Sequence, residues 1–458
     1  MSRKETKAPT GLTLLPFRAT RYAGVDLAAV TSPPYDVVEP DRTLHLEAAN
    51  PYNVVRLILP RETAATYPDK PAEDQAYTPC DRYEEAAKTW QTWLTSEILR
   101  TDDVSALWVY EQTGPAGVLV GVVGTVPVDQ PAAVLPHEDV MADPVADRAE
   151  LMDAVGANLE PILLVHDPAP HLLAADQISA TTRIVDKVRQ SPPAFTVATD
   201  DGATHRLWSI TEPSTQQLIN NDVQSRSALI ADGHHRFAAY QRIAAQRHIS
   251  RQPSSGDAST GAATGSAGQP WDRGLALLVD GHAHPLRLGA IHRVVHGLSW
   301  DKAVAELGRG IRQQPIESID AAQLWLREAG TQPAASRLVL TDATRWMGLV
   351  IGDGSSMVPR PDRSPQWRSL PTAVLHELLL PHRWRISDDA VTYHHDVAGA
   401  LRSASPDAVA VLLPPLPLST VIERAAAGEL LPRKSTSFGP KPRTGFLMRT
   451  FDDPATDG

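Results

Sequence analysis

The chain reads as an α/β (α+β) protein built on a mixed sheet, and three observations predict it. Short β-rich runs alternate with amphipathic helical patterns. Two pairs of those runs are joined by hairpin-type connections. The alternation has no fixed period, which excludes a solenoid or propeller. At 458 residues and 42% hydrophobic, the chain can bury a sizeable core.

The elements follow in order. Asp81 to Leu99 reads as a helix, because Trp90, Leu94 and Ile98 recur at helical spacing. "ALWVYEQ" and "VLVGVVGTVPV" are strands joined by "TGPAG", a hairpin. "VADRAELMDAVGAN" is helical, and "PILLVHD" (Pro161 to Asp167) is a buried strand. "NPYNVVRLILP" (Asn50 to Pro60) reads as a turn and then a strand. "SALI" is a β-type run that leads through "ADGHHR" into the helix former "FAAYQRIAAQR". Phe237, Tyr240, Ile243 and Ala244 share one face of that helix. "RLVLT" and "WMGLVIGD" form a second hairpin. "PTAVLHELLL" and "TVIERAAAGE" are helices, and "AVAVLLPP" and "GFLMRTF" are strands. The 39 prolines gather in the connections, as their fixed φ and missing N–H require.

These elements imply five segments: an N-terminal extension (1–20), an αβ region (21–249), an insertion (250–270), a second αβ region (271–450) and a frayed tail (451–458). The insertion is rich in Ser, Gly, Ala and Thr, with few apolar anchors.

A net charge of −11 and no basic stripe argue against a nucleic-acid partner. Cys80 is the only cysteine, so no disulfide framework or zinc ribbon is available. There is no apolar signal core and no apolar run of the roughly 18 residues a membrane span needs. The expectation is a soluble, cytoplasmic protein without a membrane partner.

The turn Asp232-Gly233-His234-His235-Arg236 carries the most chemistry. It falls where a strand becomes a helix. A helix N-terminus presents free backbone N–H groups and the positive dipole end, which attract phosphate. Gly233 allows close approach or a positive φ. Arg236 can grip phosphate with its planar fork. His234 and His235 can donate hydrogen bonds or titrate near neutrality. Asp232 can take a proton from a hydroxyl or hold a magnesium ion. An Asp-Gly pair is also an ordinary turn, and Asp an ordinary cap.

Other clusters add to this. "RKSTSFGPKPRTG" sets Arg433, Lys434, Ser435, Thr436 and Lys441 beside glycines, a mixture suited to phosphate. "SPPYD" stiffens the backbone before Tyr35 and Asp36. Arg56 is a charge amid apolar neighbours. "PHEDV" offers His137 and Glu138, the latter a second candidate base or magnesium ligand. His292 and Arg293 end the run "LRLGAIHRVV". "GHAH" and "YHHD" match no zinc spacing, and no metal site is assigned on them.

The motif "ADGHHRFAAYQR" resembles the strand–turn–helix signature of the ParB/sulfiredoxin-like fold, whose Gly-x-x-Arg turn binds nucleotide phosphates. The whole chain resembles the DUF1015 family through "SPPYDVV", "NPYNVVRLILP", "PHEDV", "ADRAELMDAVGANLEPILLV", "ADGHHRFAAY", "IHRVV" and "LLPRKSTSFGPKPRTGFLM". A sulfiredoxin needs cysteine in the turn, and His234 stands there. ParB proteins carry more arginine and a basic domain. The free-serine kinase branch is left as the nearest in character.

That resemblance implies a nucleotide-dependent phosphotransferase acting on a small hydroxylated metabolite, with free L-serine as the acceptor it suggests and serine metabolism as its setting. ATP or ADP would be the donor, with Mg²⁺ on its phosphates and held through Asp232 or Glu138. Asp232, Glu138 and His234 are the expected catalytic residues. Gly233, His235, Arg236, Lys434, Ser435 and Thr436 would bind nucleotide. Tyr35, Asp36, Arg56, His137, His292 and Arg293 would face the acceptor. Two other readings stand beside it: a nucleotide-sensing module without catalysis, and a metal-dependent phosphatase or hydrolase.

Overall fold

The computed structural model describes residues 11–61, 81–166, 178–251, 268–329, 336–352 and 354–452. Most of the expected insertion (252–267), Cys80, and the ends 1–10 and 453–458 lie outside the described residues. The fold is the mixed α/β class expected. Two compact units make it up: Met1–Leu135, Val140–Leu286 and Pro440–Gly458 form the first, and Pro136–Asp139 with Arg287–Gly439 the second. The described residues on both sides of the expected insertion fall in the first unit, and the chain returns to that unit at Pro440.

The first unit holds an eight-stranded sheet. In chain order its strands are β1 (Leu107–Gly114), β2 (Gly117–Pro127), β3 (Val134–Leu135), β4 (Ile162–His166), β5 (Phe195–Ala198), β6 (Thr204–Ile210), β7 (Ala228–Asp232) and β8 (Arg273–Asp280). Their spatial order is β3-β7-β4-β8-β2-β1-β6-β5. Only the β3–β7 and β4–β8 pairs are parallel. β1 and β2 form the expected hairpin, with Gly114 opposite Gly117. β4 is buried along its whole length, which explains its unbroken apolar run.

Three longer helices belong to this unit: α1 (Asp81–Thr95), α2 (Ala142–Val155) and α3 (His234–Arg251). α3 buries the predicted face, with Phe237, Tyr240, Ile243 and Ala244 each no more than 6% exposed. Such side chains contribute roughly 1.5–3 kcal/mol each for the larger ones. Gly274 of β8 makes room for the Tyr240 ring. A Cβ there would lie 2.1 Å from a ring carbon. The Tyr240 hydroxyl then donates to the Glu160 carbonyl at 3.0 Å.

The second unit holds a six-stranded antiparallel sheet and a two-stranded ribbon. Its strands are β9 (Arg287–Gly289), β10 (His292–His296), β11 (Ile311–Ile316), β12 (Ser336–Thr341), β13 (Trp346–Ile351), β14 (Val391–His394), β15 (Ala408–Leu412) and β16 (Ser437–Gly439). The six-stranded order is β11-β13-β12-β15-β10-β14, and β9 pairs with β16. β12 and β13 form the second expected hairpin.

Two segments depart from expectation. Val55–Ile58 is one helical turn rather than a strand. Asn53 nucleates it: its side-chain oxygen accepts the Val55 N–H at 3.0 Å, and its amide donates to the Ala29 carbonyl at 2.8 Å. "GFLMRTF" keeps only Arg449–Thr450 as strand, paired with Ala157–Asn158. The residues before it serve as a strap across the unit, with Met448 and Thr20 exchanging backbone bonds. Among the described residues no helix is long and apolar enough to cross a membrane.

A buried polar network crosses the first sheet. Tyr110 Oη lies 2.9 Å from His205 Nδ1, and His205 Nε2 lies 3.1 Å from the Thr199 hydroxyl. Burial, helped by the Arg443 charge, pushes the His205 ring down from 6.5 to about 4. The folded state therefore resists a proton that the unfolded chain accepts below about pH 6.5. Stability is full above that value and falls as pH drops from 6.5 toward 4. His205→Gln should lose much of this dependence, on the order of 2–3 kcal/mol between those limits. Urea unfolding followed at several pH values checks it, and parallel pH slopes for the two proteins would refute it.

Candidate functional site

β7 ends at the motif picked out in the sequence. Its register against β4 shifts between Ile230 and Asp232, so Ala231 is bulged out of the ladder and Asp232 pairs with Leu163. Gly233 follows with φ +95°, a region that disfavours any side chain. A Cβ there would also lie 2.9 Å from an Ile162 methyl. α3 then begins at His234, and its first intrahelical bond runs from the Phe237 N–H to the Gly233 carbonyl. The N–H groups ahead of Phe237 have no acceptor within the helix.

Two distant segments meet this turn. Residues 31–36 and 440–446 run side by side, with Ser32 and Thr444 exchanging backbone hydrogen bonds at 3.2 and 2.9 Å. Lys441 Nζ lies 2.6 Å from Asp232 Oδ1 and is also paired with Asp36. Asp232 Oδ2 accepts from Arg236 Nη2 at 2.5 Å. The three acidic and basic side chains open gradually to solvent: Asp232 is 12% exposed, Lys441 22% and Asp36 33%.

The electrostatics follow from that packing. Burial opposes the Lys441 charge, but Asp232 and Asp36 outweigh it and hold the ammonium above its ordinary value. Burial likewise opposes ionisation of Asp36, and Lys441 with Arg236 pulls its carboxyl below the usual range. Tyr35 sits under two guanidinium groups, 4.6 Å from Arg148 and 5.7 Å from Arg236. Burial pushes its hydroxyl up to about 12.

Arg236 is turned inward. It is 3% exposed, and its Nη1 donates to the Pro161 carbonyl at 2.6 Å. Burial opposes its charge, and the carboxylates of Glu160 and Asp232 more than restore it. In this structure the two terminal nitrogens of its fork are engaged by the protein, on Pro161 and Asp232. His235 Nε2 accepts the Met141 N–H at 3.2 Å. His234 is half-buried at the first position of α3. Arg56 stands on the 55–58 turn and donates to the Glu47 carbonyl at 2.7 Å.

The remaining predicted residues belong to the second unit. His137 is fully buried, with Nε2 2.8 Å from the Thr436 hydroxyl. Glu138 accepts the Lys434 N–H at 2.6 Å. Arg293 is fully buried and donates to the Lys434 carbonyl at 2.8 Å and to His376 at 3.1 Å. Burial lowers its guanidinium to about 10. Ser435 lies 3.1 Å from the Thr372 hydroxyl. His292 Nδ1 accepts the Leu413 N–H at 3.2 Å, and burial with the Arg293 charge lowers the ring to about 4. The contacts of His137, Glu138, Arg293 and Thr372 hold the 432–437 loop in place. No group of three His, Cys, Asp or Glu side chains suited to a metal occurs among the described residues.

Sequence reasoning missed Lys441 as a site residue, although it lies in a cluster already marked. It also missed Glu160. The one signal there was a carboxylate in the otherwise apolar "NLEPILLV".

The family described as "Protein of unknown function (DUF1015)" matches residues 14–373. No curated protein matches the chain. Solved structures similar to it include a free serine kinase in complex with ADP (13% identity, 69% of this chain and 87% of that one, TM-score 0.34). SbnI from Staphylococcus aureus is 11% identical over 72% and 88%, with TM-score 0.35. A conserved hypothetical protein from Pyrococcus furiosus is 15% identical over 72% and 96%, with TM-score 0.33.

Lys441→Met should leave Asp36 and Asp232 facing each other without their shared cation. Asp36 is held below its ordinary 3.8 in the folded protein. Its contribution is therefore present above that value and lost as pH falls. The variant should be less stable at pH 7 by about 1–3 kcal/mol, allowing for partial exposure. The gap should close below about pH 4. Denaturant unfolding at both pH values checks this, and a gap that persists in acid would refute it.

Proposed function

We propose that this chain, which belongs to the DUF1015 family, is a nucleotide-dependent phosphotransferase that acts on a small hydroxylated metabolite. One observation carries the reading. A strand-end carboxylate, Asp232, lies directly ahead of the N-terminus of an 18-residue helix and is held at 2.6 Å by a half-buried lysine. The set joins a base, a cation and a helix dipole in one place.

The residues fit a nucleotide phosphate. The first-turn N–H groups of α3 and the side chains of His234 and His235 supply donors. Gly233 keeps the turn free of a side chain, and Lys441 supplies a point charge. A magnesium ion accompanying the phosphates would be held through Asp36 and would neutralise charge on the donor.

In the transfer, Asp232 takes the proton of the acceptor hydroxyl. The acceptor oxygen forms a bond to phosphorus as the anhydride P–O bond breaks, and the nucleotide leaves with the electron pair. Lys441 stabilises the charge on the transferring group. Arg236 acts one step back, because its two bonds fix the Asp232 carboxylate against Pro161. Free L-serine is the acceptor suggested by the resemblance of the turn to the free-serine kinase branch. Glu138, His137, Arg293, Lys434, Ser435 and Thr436 form a second polar cluster, within the second unit.

Asp232→Asn keeps the shape and removes the basic oxygen. It should lower turnover by roughly 10²-fold or more while nucleotide still binds. Incubation with labelled ATP or ADP and a panel of amino acids and polyols, read by mass spectrometry, gives the turnover. Calorimetry gives the affinity. Near-normal turnover in the variant would place the base elsewhere. Loss of nucleotide binding would make Asp232 a ligand or a cap.

A further inference from the structure

Glu160 takes no part in the chemistry above, yet it is a charged side chain only 5% exposed. It directly precedes Pro161 and β4. Its Oε1 accepts the Tyr35 N–H at 3.1 Å and the Thr444 hydroxyl at 2.8 Å. Tyr35 adjoins Asp36 in one strap, and Thr444 lies three residues beyond Lys441 in the other. Its backbone is fixed independently, because its carbonyl accepts the Tyr240 hydroxyl at 3.0 Å. Burial opposes the Arg236 charge, and Glu160 is the foremost carboxylate restoring it.

A buried carboxylate costs several kcal/mol to desolvate unless its partners offset that cost. An apolar side chain could fill the space, but it could not accept from both straps. We propose that Glu160 is the positioning residue of the site, tying the 31–36 strap to the 440–446 strap and so setting Asp36 and Lys441 against Asp232. What the site does rests on the phosphotransfer reading, whereas how it is held does not.

The test uses the full chain with Glu160→Gln and Glu160→Ala. The amide oxygen of Gln still accepts from Tyr35 and Thr444, and Ala accepts from neither. Two readouts are taken: kcat and KM for phosphoryl transfer, and the acetylation rate of Lys441 by competitive labelling and mass spectrometry. Glu160→Ala should label Lys441 about 10-fold faster or more. It should also lower kcat about 100-fold, with a smaller change in KM, the scale of a misplacement near 1 Å. Glu160→Gln should restore kcat to within about 10-fold of the wild type and return the Lys441 labelling rate to near that of the wild type. If Glu160→Ala does not fold, Thr444→Val against Thr444→Ser carries the same contrast, at about 3- to 10-fold.

A folded Glu160→Ala with wild-type labelling and kcat would overturn the proposal. So would Glu160→Gln behaving like Glu160→Ala. If the wild type transfers phosphate to no acceptor, the phosphotransfer reading fails, and the Lys441 labelling alone still decides the role of Glu160.

Discussion

The Lys441 ammonium between Asp36 and Asp232 is the contact on which the rest of the site depends. It joins three segments, two of them 405 residues apart in sequence. A lysine this buried keeps its charge only because two carboxylates face it. The Asp36 carboxyl in turn is held below its usual range by the lysine and Arg236. None of the three groups would be well placed alone. The strap carrying Lys441 must therefore fold onto the sheet before the strand–turn–helix has its full charge pattern.

The strap is held by more than that ion. Arg443, two residues on, donates to the Thr31 hydroxyl at 2.8 Å and its backbone N–H to Tyr110 at 3.1 Å. Phe446 packs against His205 and Tyr110. The histidine network of the sheet and the ionic site thus share one segment. Protonation of His205 in acid is expected to loosen the same strap that presents Lys441. Arg236 secures the other side of Asp232 through Pro161. The carboxylate is gripped on both oxygens, which limits its rotation and aims it.

Much of this was legible from local pattern. Both hairpins, the buried face of α3 and the strand–turn–helix at Asp232 follow from periodicity and turn chemistry over a few residues. What escaped depends on long-range packing. The 55–58 segment has the composition of a strand, yet it makes a helical turn whose Val55 N–H donates to the Asn53 side chain, itself anchored on the Ala29 carbonyl. Arg236 has the residue type of a phosphate ligand, and only the tertiary position of Pro161 shows that its fork points inward. Lys441 lay in a recognised basic cluster, but sequence could not say that it would meet Asp232. Glu160 gave a single weak signal, a charge in an apolar run.

A crystal structure with a nucleoside diphosphate at millimolar concentration tests the central claim most directly. The account predicts the terminal phosphate at the N-terminus of α3, on the backbone N–H groups of His234 and His235, with Lys441 Nζ within hydrogen-bond distance. Arg236 should remain on Asp232 and Pro161. Nucleotide bound away from α3, or phosphate held by Arg236 with Lys441 still shared by the two aspartates, would contradict it.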